Sequence, residues 1–380
     1  MNGMKTFNCG YNSRMKIFIT LILFPIISLA NYGKPKLVAR YAGADSFNAP
    51  FGLSCFSSEP QPTKEGTFLG CLDADGNAQM VKWSPDFEVV AKSSDFFSHP
   101  KDVEGKVSWY EFNQAGVKTL YEYANHDLIV TPLKNLGPAY SMIDSFTALK
   151  NRTYVYRLQE DTKTLQAWNN HEVSILFGEA VSHIFPPSSS VDGNFIVKVR
   201  RNDLSESSPD ELFFWNGTFS IILKDQRSDA ASDVLGFRHQ YALDQGSVAL
   251  VVTDLKGEAM SIIQNNQRIV VARVGSDVKS FDYFSPKMRA GVLVFRGIDL
   301  ENRKALWVYE NKVLKKLITQ GDVVHTDKGF ARVHYKDQDA IFYGAPGISA
   351  DGEIYQQATL TDVDFDMTLL GIGLLKFKRE

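Results

Sequence analysis

The sequence predicts an all-β protein, a seven-bladed β-propeller closed by pairing of its N-terminal strand with its C-terminal blade. Three observations predict it. A short β-branched run recurs seven times, a glycine-led alternating strand recurs seven times, and the first β-branched run stands ahead of any strand it can pair with.

The β-branched runs begin at Leu37-Val38-Ala39-Arg40. Close copies are Val89-Val90-Ala91-Lys92 and Val270-Val271-Ala272-Arg273; looser ones are Leu128-Ile129-Val130, Val173-Ser174-Ile175-Leu176, Ile221-Ile222-Leu223 and Leu317-Ile318-Thr319. Such side chains fit a pleated, half-buried surface, so each run is assigned as a blade's outer strand. The second set opens on Gly or another turn residue: Gly66-Thr67-Phe68-Leu69, Gly105-Lys106-Val107-Ser108, Arg152-Thr153-Tyr154-Val155, Gly193-Asn194-Phe195-Ile196, Gly246-Ser247-Val248-Ala249, Gly291-Val292-Leu293-Val294 and Gly352-Glu353-Ile354-Tyr355. These anchors recur at intervals of about 40 to 60 residues, the period of four-stranded blades with loops of variable length.

A further strand, often ending in an aromatic, separates anchor from outer strand: Met80-Val81-Lys82-Trp83, Leu120-Tyr121-Glu122-Tyr123, Leu165-Gln166-Ala167-Trp168, Leu212-Phe213-Phe214-Trp215 and Leu306-Trp307-Val308-Tyr309. Tight turns such as Glu310-Asn311-Lys312 and Asn216-Gly217 follow. The last anchor, at Ile354, is followed by Leu369-Leu370-Gly371-Ile372-Gly373-Leu374-Leu375 and no outer strand, so Leu37–Arg40 is expected to supply it. The rival architecture is a β-sandwich with a separate C-terminal domain. No stretch beyond the first 30 residues sustains helical apolar spacing over four turns.

The first 30 residues read as a secretory signal peptide. Arg14 and Lys16 precede an apolar run from Ile17 to Leu29, too short to span a bilayer, and Ser28-Leu29-Ala30 supplies the small residues of a cleavage site after Ala30. An uncleaved anchor is the alternative, and Met1, Met4 or Met15 can each be the start. The mature chain, 31–380, is then expected to be one propeller domain without a transmembrane segment, a monomer, exported to the periplasm or beyond the cell.

The net charge of −3, with both signs interspersed, argues against a nucleic-acid partner. The basic end Lys376, Lys378 and Arg379 reads as a solubilising tail. Of three cysteines, Cys9 leaves with the signal segment. Cys55 and Cys71 flank the turn-rich stretch Glu59–Gly66, so a hairpin there places them opposite each other and predicts a cross-strand disulfide; two buried thiols are the other possibility.

Ser190-Val191-Asp192-Gly193-Asn194-Phe195-Ile196-Val197, Leu243-Asp244-Gln245-Gly246-Ser247-Val248-Ala249-Leu250 and Ser349-Ala350-Asp351-Gly352-Glu353-Ile354-Tyr355 resemble the Asn/Asp-x-x-Gly-x-x-x-Ala-Phe tandem repeats of secreted bacterial β-propellers. The resemblance covers three blades, and the family's Ala-Phe is replaced at Ile196 and at Gln356. It implies an exported propeller, from a group with no shared reaction.

Catalytic signatures are absent: no Gly-x-Ser-x-Gly elbow, no His-Glu-x-x-His around His171, no phosphate-binding glycine loop. Asp192-Gly193 and Asp351-Gly352 lack the remainder of a sialidase repeat. Asp362, Asp364 and Asp366 alternate, so an extended strand puts three carboxylates on one face, where Ca²⁺ relieves their repulsion; a solvated loop relieves it equally well. Asp73-Ala74-Asp75-Gly76 reads as a hairpin turn, and His325 and His334 lack a third metal ligand.

In a propeller the inner strands line the central channel, so polar residues just upstream of each anchor converge there. These are His99, Asp144, His183, Arg238, His239, Asp282 and Tyr283. Such a funnel suits an anionic or sugar-like ligand, or an acid and base pair, while a wet channel without a ligand is equally familiar. The five tryptophans, Trp83, Trp109, Trp168, Trp215 and Trp307, fall on strands and are expected to pack between blades rather than stack on sugars. Asn151-Arg152-Thr153 and Asn216-Gly217-Thr218 are sequons, relevant only in a glycosylating host.

Three functions fit. The first is a cell-envelope binding or scaffold module for a protein or glycan partner, which needs no catalytic set. The second is a glycan-active hydrolase or lyase at the channel mouth, with Asp144 and Asp282 as the carboxylate pair. The third is a structural surface protein with a Ca²⁺-stabilised edge.

Overall fold

A computed structural model describes residues 32–380 apart from 56–57, 114–115, 134–142, 150–152, 159–162, 170–171, 178–180, 202–208, 337–339 and 364–367. The expected signal segment, Cys9 and His171 therefore lie outside the described residues, as do Asp364 and Asp366. Among the described residues every regular element is a β-strand and no helix is long and apolar enough to cross a membrane.

Six sheets are regular blades, each formed by consecutive antiparallel strands. They span 61–93, 96–132, 143–175, 181–224, 234–273 and 280–319 and are called the first to sixth blade below. In the sixth, Ser280–Phe281 and Lys287–Arg289 form the inner edge on Val292–Ile298, followed by Lys304–Glu310 and Val313–Thr319. The recurring β-branched run is the outermost strand each time, as in Phe87–Ser93 and Gln267–Arg273.

Local chemistry explains the repeat. The anchor glycine sits at the turn from inner to second strand: Ala290 and Gly291 both have positive φ, 54° and 74°, the pair a type I′ hairpin requires. In two of the three family-like copies the turn is wider, as where Ser349 N donates to Glu353 O, Gly352 N to Ser349 O, and Gly352 takes φ of 79°; the third, Gln245-Gly246, is again a two-residue turn with φ of 47° and 76°. Asn311-Lys312 and Asn265-Asn266 repeat the two-residue device between the third and outer strands.

The last sheet is composite. Its core, Phe342–Ile348, Ile354–Asp362 and Leu369–Phe377, is completed by Lys36–Tyr41, which pairs antiparallel with Leu369–Phe377 through Leu37↔Leu375, Ala39↔Leu374, Arg40↔Gly373 and Tyr41↔Ile372. The N-terminal strand thus supplies the missing outer strand. Seven equivalent blades were expected; six are of that regular kind, and the composite sheet differs by an added hairpin, Val323–Thr326 with Gly329–Val333. Ile354–Asp362 outruns its inner partner, and the hairpin covers the overhang by pairing Ala331↔Asp362, Arg332↔Thr361 and Val333↔Leu360, while His325 meets Lys36 on the far side. The sheet is thereby rolled toward a barrel, which satisfies backbone groups that an open edge leaves unpaired.

Side chains fasten this closure. The fully buried Arg40 guanidinium donates to both carboxylate oxygens of Asp327 at 3.0 and 2.7 Å, to Asp45 Oδ1 at 2.7 Å and to Leu370 O at 2.8 Å. Tyr41 Oη donates to Gln357 Oε1, and Gln357 Nε2 donates to Ser58 O at 2.6 Å, so one buried glutamine joins both chain ends to the first blade's entry. That is the physical use of the Gln-Gln that departs from the family repeat.

Hydrophobic clusters lie between sheets rather than within them. Leu69, Val81 and Trp83 of the first blade pack with Ala39, Tyr41 and Leu374 of the composite sheet. Val292, Leu306 and Ile318 of the sixth blade pack with Val324, Phe342 and Leu360 on the other side of it. Contacts run from each blade to the next in chain order and return through the composite sheet to the first. Trp83, Trp109, Trp168 and Trp307 are buried in these seams and Trp215 is packed against another, as expected.

Cys55 and Cys71 are disulfide-bonded across a Cα–Cα distance of 4.1 Å. The opposition is set by the bridge Ser54↔Leu72, beyond the hairpin pairs Gln61↔Phe68 to Thr63↔Gly66. The bond closes a loop of sequence separation 16, and chain-entropy reasoning gives it about 3 kcal/mol. Reduction, or Cys55→Ser with Cys71→Ser, is expected to lower the urea-unfolding free energy by about that amount. An unchanged unfolding midpoint under reductant contradicts this.

Candidate functional site: the channel and its mouth

The inner strands that line the ring are broken midway. Ser98-His99-Pro100 separates Phe96–Phe97 from Lys101–Val103, Phe185-Pro186-Pro187 separates Val181–Ile184 from Ser188–Ser189, and Asp282–Pro286 separates Ser280–Phe281 from Lys287–Arg289. Glu59-Pro60 precedes Gln61–Thr63, and Gly344-Ala345-Pro346 occupies the register break in Phe342–Ile348. Proline has no N–H for the ladder and holds its own φ, so pairing stops there and the flanking side chains turn into the channel. A cavity of about 390 Å³ results, lined by inner-strand residues from five of the blades and the composite sheet. A second, of about 560 Å³, lies between the sixth blade and the composite sheet, and Tyr283 and Phe284 border both.

Of the residues expected to converge, most gather in two groups. Arg238 forks onto Glu258 at 2.9 and 2.7 Å, donates to Asp282 O at 3.1 Å and places its guanidinium carbon 5.0 Å from the Tyr283 ring centre. Arg296 pairs with Asp282 at 2.9 Å and stacks 4.2 Å from the Phe284 ring centre. Two guanidinium planes thus support an aromatic ledge whose residues are 76% and 42% exposed. In the second group His239 stacks on Phe185 at 5.1 Å, His183 meets the same ring edge-on, and Arg157 Nη1 lies 3.2 Å from His183 Nε2. Burial, then Lys198, Arg157 and His183, holds the His239 imidazole below its ordinary range.

His99 belongs to neither group. It faces a third cluster that sequence reasoning missed: Glu59, Lys101, Lys287, Asp102 and Arg289. Lys287 Nζ is 2.6 Å and Lys101 Nζ 4.0 Å from the same oxygen, Glu59 Oε2, and Arg289 Nη2 is 2.9 Å from Asp102 Oδ2. Lys101 and Lys287 come from the second and sixth blades and Glu59 from the entry to the first, so only the closed ring assembles them. The sequence signal was the proline: Glu59 and His99 stand one residue before it, Lys101 and Lys287 one after.

These neighbours shift one another. Lys287 and then burial push the Lys101 ammonium down to about 8. Burial opposes the ionised Glu59, yet Lys287, Lys101 and His99 hold its carboxyl well below the carboxylate range. Burial keeps His99 below the usual imidazole range. Because Lys101 binds its proton less tightly folded than unfolded, its contribution to stability rises as pH climbs from about 8 toward the free-lysine value of about 10.4. Comparing urea midpoints of wild type and Lys101→Met across that window should show the gain in wild type only; parallel profiles contradict it.

The Asp144 and Asp282 pairing is not assembled by described side chains. Asp144 lies on Ile143–Ala148 of the third blade with its side chain outside the described residues, and Asp282, in the sixth, is committed to Arg296 and the Tyr283 amide. Strand Ile354–Asp362 ends at the first of the three aspartates expected to share a face; a turn starts at Val363. No group of three metal-ligating residues occurs among the described residues. His325 is edge-on to Phe330, and His334 is buried with its amide on Thr359 O.

No family model matches the chain and no curated protein matches it. Similar solved structures include a puromycin-hydrolyzing peptidase of Mycobacterium tuberculosis, 10% identical with a TM-score of 0.51 over 90% of this chain and 56% of that one. An acylaminoacyl peptidase of Pyrococcus horikoshii is 11% identical with a TM-score of 0.50 over 83% of this chain and 51% of its own. The β-propeller domain of the Trilobed protease from Pyrococcus furiosus is 10% identical with a TM-score of 0.47, over 68% and 80%. The chain spans about half the length of the first two. At such identity the first two bear on the fold alone, and the sheet order makes the class a β-propeller.

Proposed function

We propose that this protein is an exported β-propeller that binds a protein or glycan partner over the channel mouth, with the composite sheet serving as a seventh blade. The observation that carries the reading is the Tyr283–Phe284 ledge: two exposed aromatic rings, fixed from behind by Arg238 and Arg296, between two cavities. A rigid aromatic face offers contact area with little entropy to lose on binding, and it suits a sugar ring or a partner's side chain. Export is supported by the N-terminal apolar segment and by the disulfide.

Crosslinking in intact cells and an oligosaccharide thermal-shift panel identify the partner class. Tyr283→Ala with Phe284→Ala is then expected to weaken that partner at least about tenfold, with the melting temperature within a few degrees of wild type, because neither ring is core. Unaltered affinity in the double variant refutes the ledge as the docking surface.

A further inference from the structure

We infer that the channel below the mouth holds a carboxylate-binding site, in which Lys101, Lys287 and His99 take the carboxylate of a small ligand or of a peptide end. The site lies inside the ring and does not depend on what docks at the rim.

Two ammonium groups crowd one oxygen of one carboxylate, Glu59 Oε2, at 2.6 and 4.0 Å. The adjacent Arg289 is satisfied by Asp102 at 2.9 Å, with Pro62 O and Ile348 O at 3.3 and 3.4 Å. Arg289 is balanced by Asp102 and also faces Asp244, but at Glu59 two cations meet one anion, a local excess of one positive charge, and Lys101, with the longer contact, carries it. Like charges held together in a partly desolvated site are costly, and a monoanion between them removes the repulsion. A phosphate dianion overshoots, whereas one carboxylate restores neutrality.

Space and donors agree with the charge. The cluster opens on the cavity of about 390 Å³, within the size range of small-ligand sites. Side-chain exposure of 37% for Lys101 and 26% for Lys287 leaves N–H groups directed at that space rather than sealed in the wall. His99, beside Glu59 and the two lysines and held below its usual titration range, enters as a neutral imidazole able to donate one hydrogen bond without adding charge. The charged groups facing Lys101 are Lys287 and Glu59, with His99 beside them, so occupancy should fall as pH passes about 8 and Lys101 loses its proton.

The test uses the full mature chain and isothermal titration calorimetry. Probes are acetate, trialanine with a free carboxyl end, trialanine amide and inorganic phosphate, at about pH 7 and about pH 9.5. Acetate and trialanine are expected to bind, the amide and phosphate to bind at least about tenfold more weakly, and the carboxylate affinity to drop at the higher pH. Lys101→Gln, which leaves the Lys287–Glu59 pair intact, is expected to cost about tenfold or more, and Lys101→Arg to retain binding. Equal affinity for acid and amide, preference for phosphate, no binding of any probe, or full affinity in Lys101→Gln overturns the site. Should Lys101→Gln fail to fold, loss of affinity in His99→Ala supports the assignment and full affinity there overturns it.

Discussion

Removing residues 32–41 is expected to unfold the entire ring rather than leave a stable remnant. Leu37, Ala39 and Tyr41 are buried in the seams on either side of the composite sheet, and burying each large apolar side chain is worth about 1.5–3 kcal/mol. The deletion also exposes the backbone of Leu369–Phe377 and leaves Asp327 and Gln357 without Arg40 and Tyr41. Together these losses approach the whole stability of an ordinary domain, about 5–15 kcal/mol. Circular dichroism should show loss of the cooperative transition in the truncated chain, and a synthetic peptide covering 32–48 should restore it in trans. A truncated protein that melts within a few degrees of wild type contradicts the closure.

Arg40→Met is the point substitution with the largest expected effect. The guanidinium is fully buried and has five hydrogen bonds: two to Asp327, two to Asp45 and one to Leu370 O. Methionine fills much of the volume but strands Asp327, whose side chain is only 12% exposed, and breaking such a pair costs about 3–5 kcal/mol. Arg40→Met with Asp327→Leu should recover much of the loss, because an apolar pair carries no desolvation penalty. The double-mutant cycle in urea measures it; additive losses deny that the two residues act as a pair.

Much of this fold was legible because strand order in a propeller follows chain order. Val89–Lys92, Val270–Arg273 and their copies announce outer strands through local composition, and the isolation of Leu37–Arg40 announces a partner at the far end. The disulfide was legible for a similar reason, since Cys55 and Cys71 flank one turn-rich stretch. The hairpin Val323–Val333 was not, because its place depends on how far Ile354–Asp362 outruns its neighbour, a matter of register rather than composition.

The site was half legible. Of the residues upstream of the anchors, His239 and Tyr283 line the channel cavity, and Arg238 and Asp282 meet beside Tyr283. Lys101, Lys287 and Glu59 escaped notice because each looks like an ordinary surface charge within its own repeat. Only their shared offset from a proline marks them, and that offset acquires meaning once proline is understood as the residue that ends inner-strand pairing.

Native-state hydrogen exchange of the intact mature protein, resolved to the amides of residues 36–41, tests the central claim most directly. Ring closure predicts that Ala39 and Tyr41 exchange with the same free energy as Leu374 and Ile372 opposite them, through global unfolding. Exchange at the rate of a frayed chain end, while 369–377 stays protected, contradicts a ring held shut by its first strand.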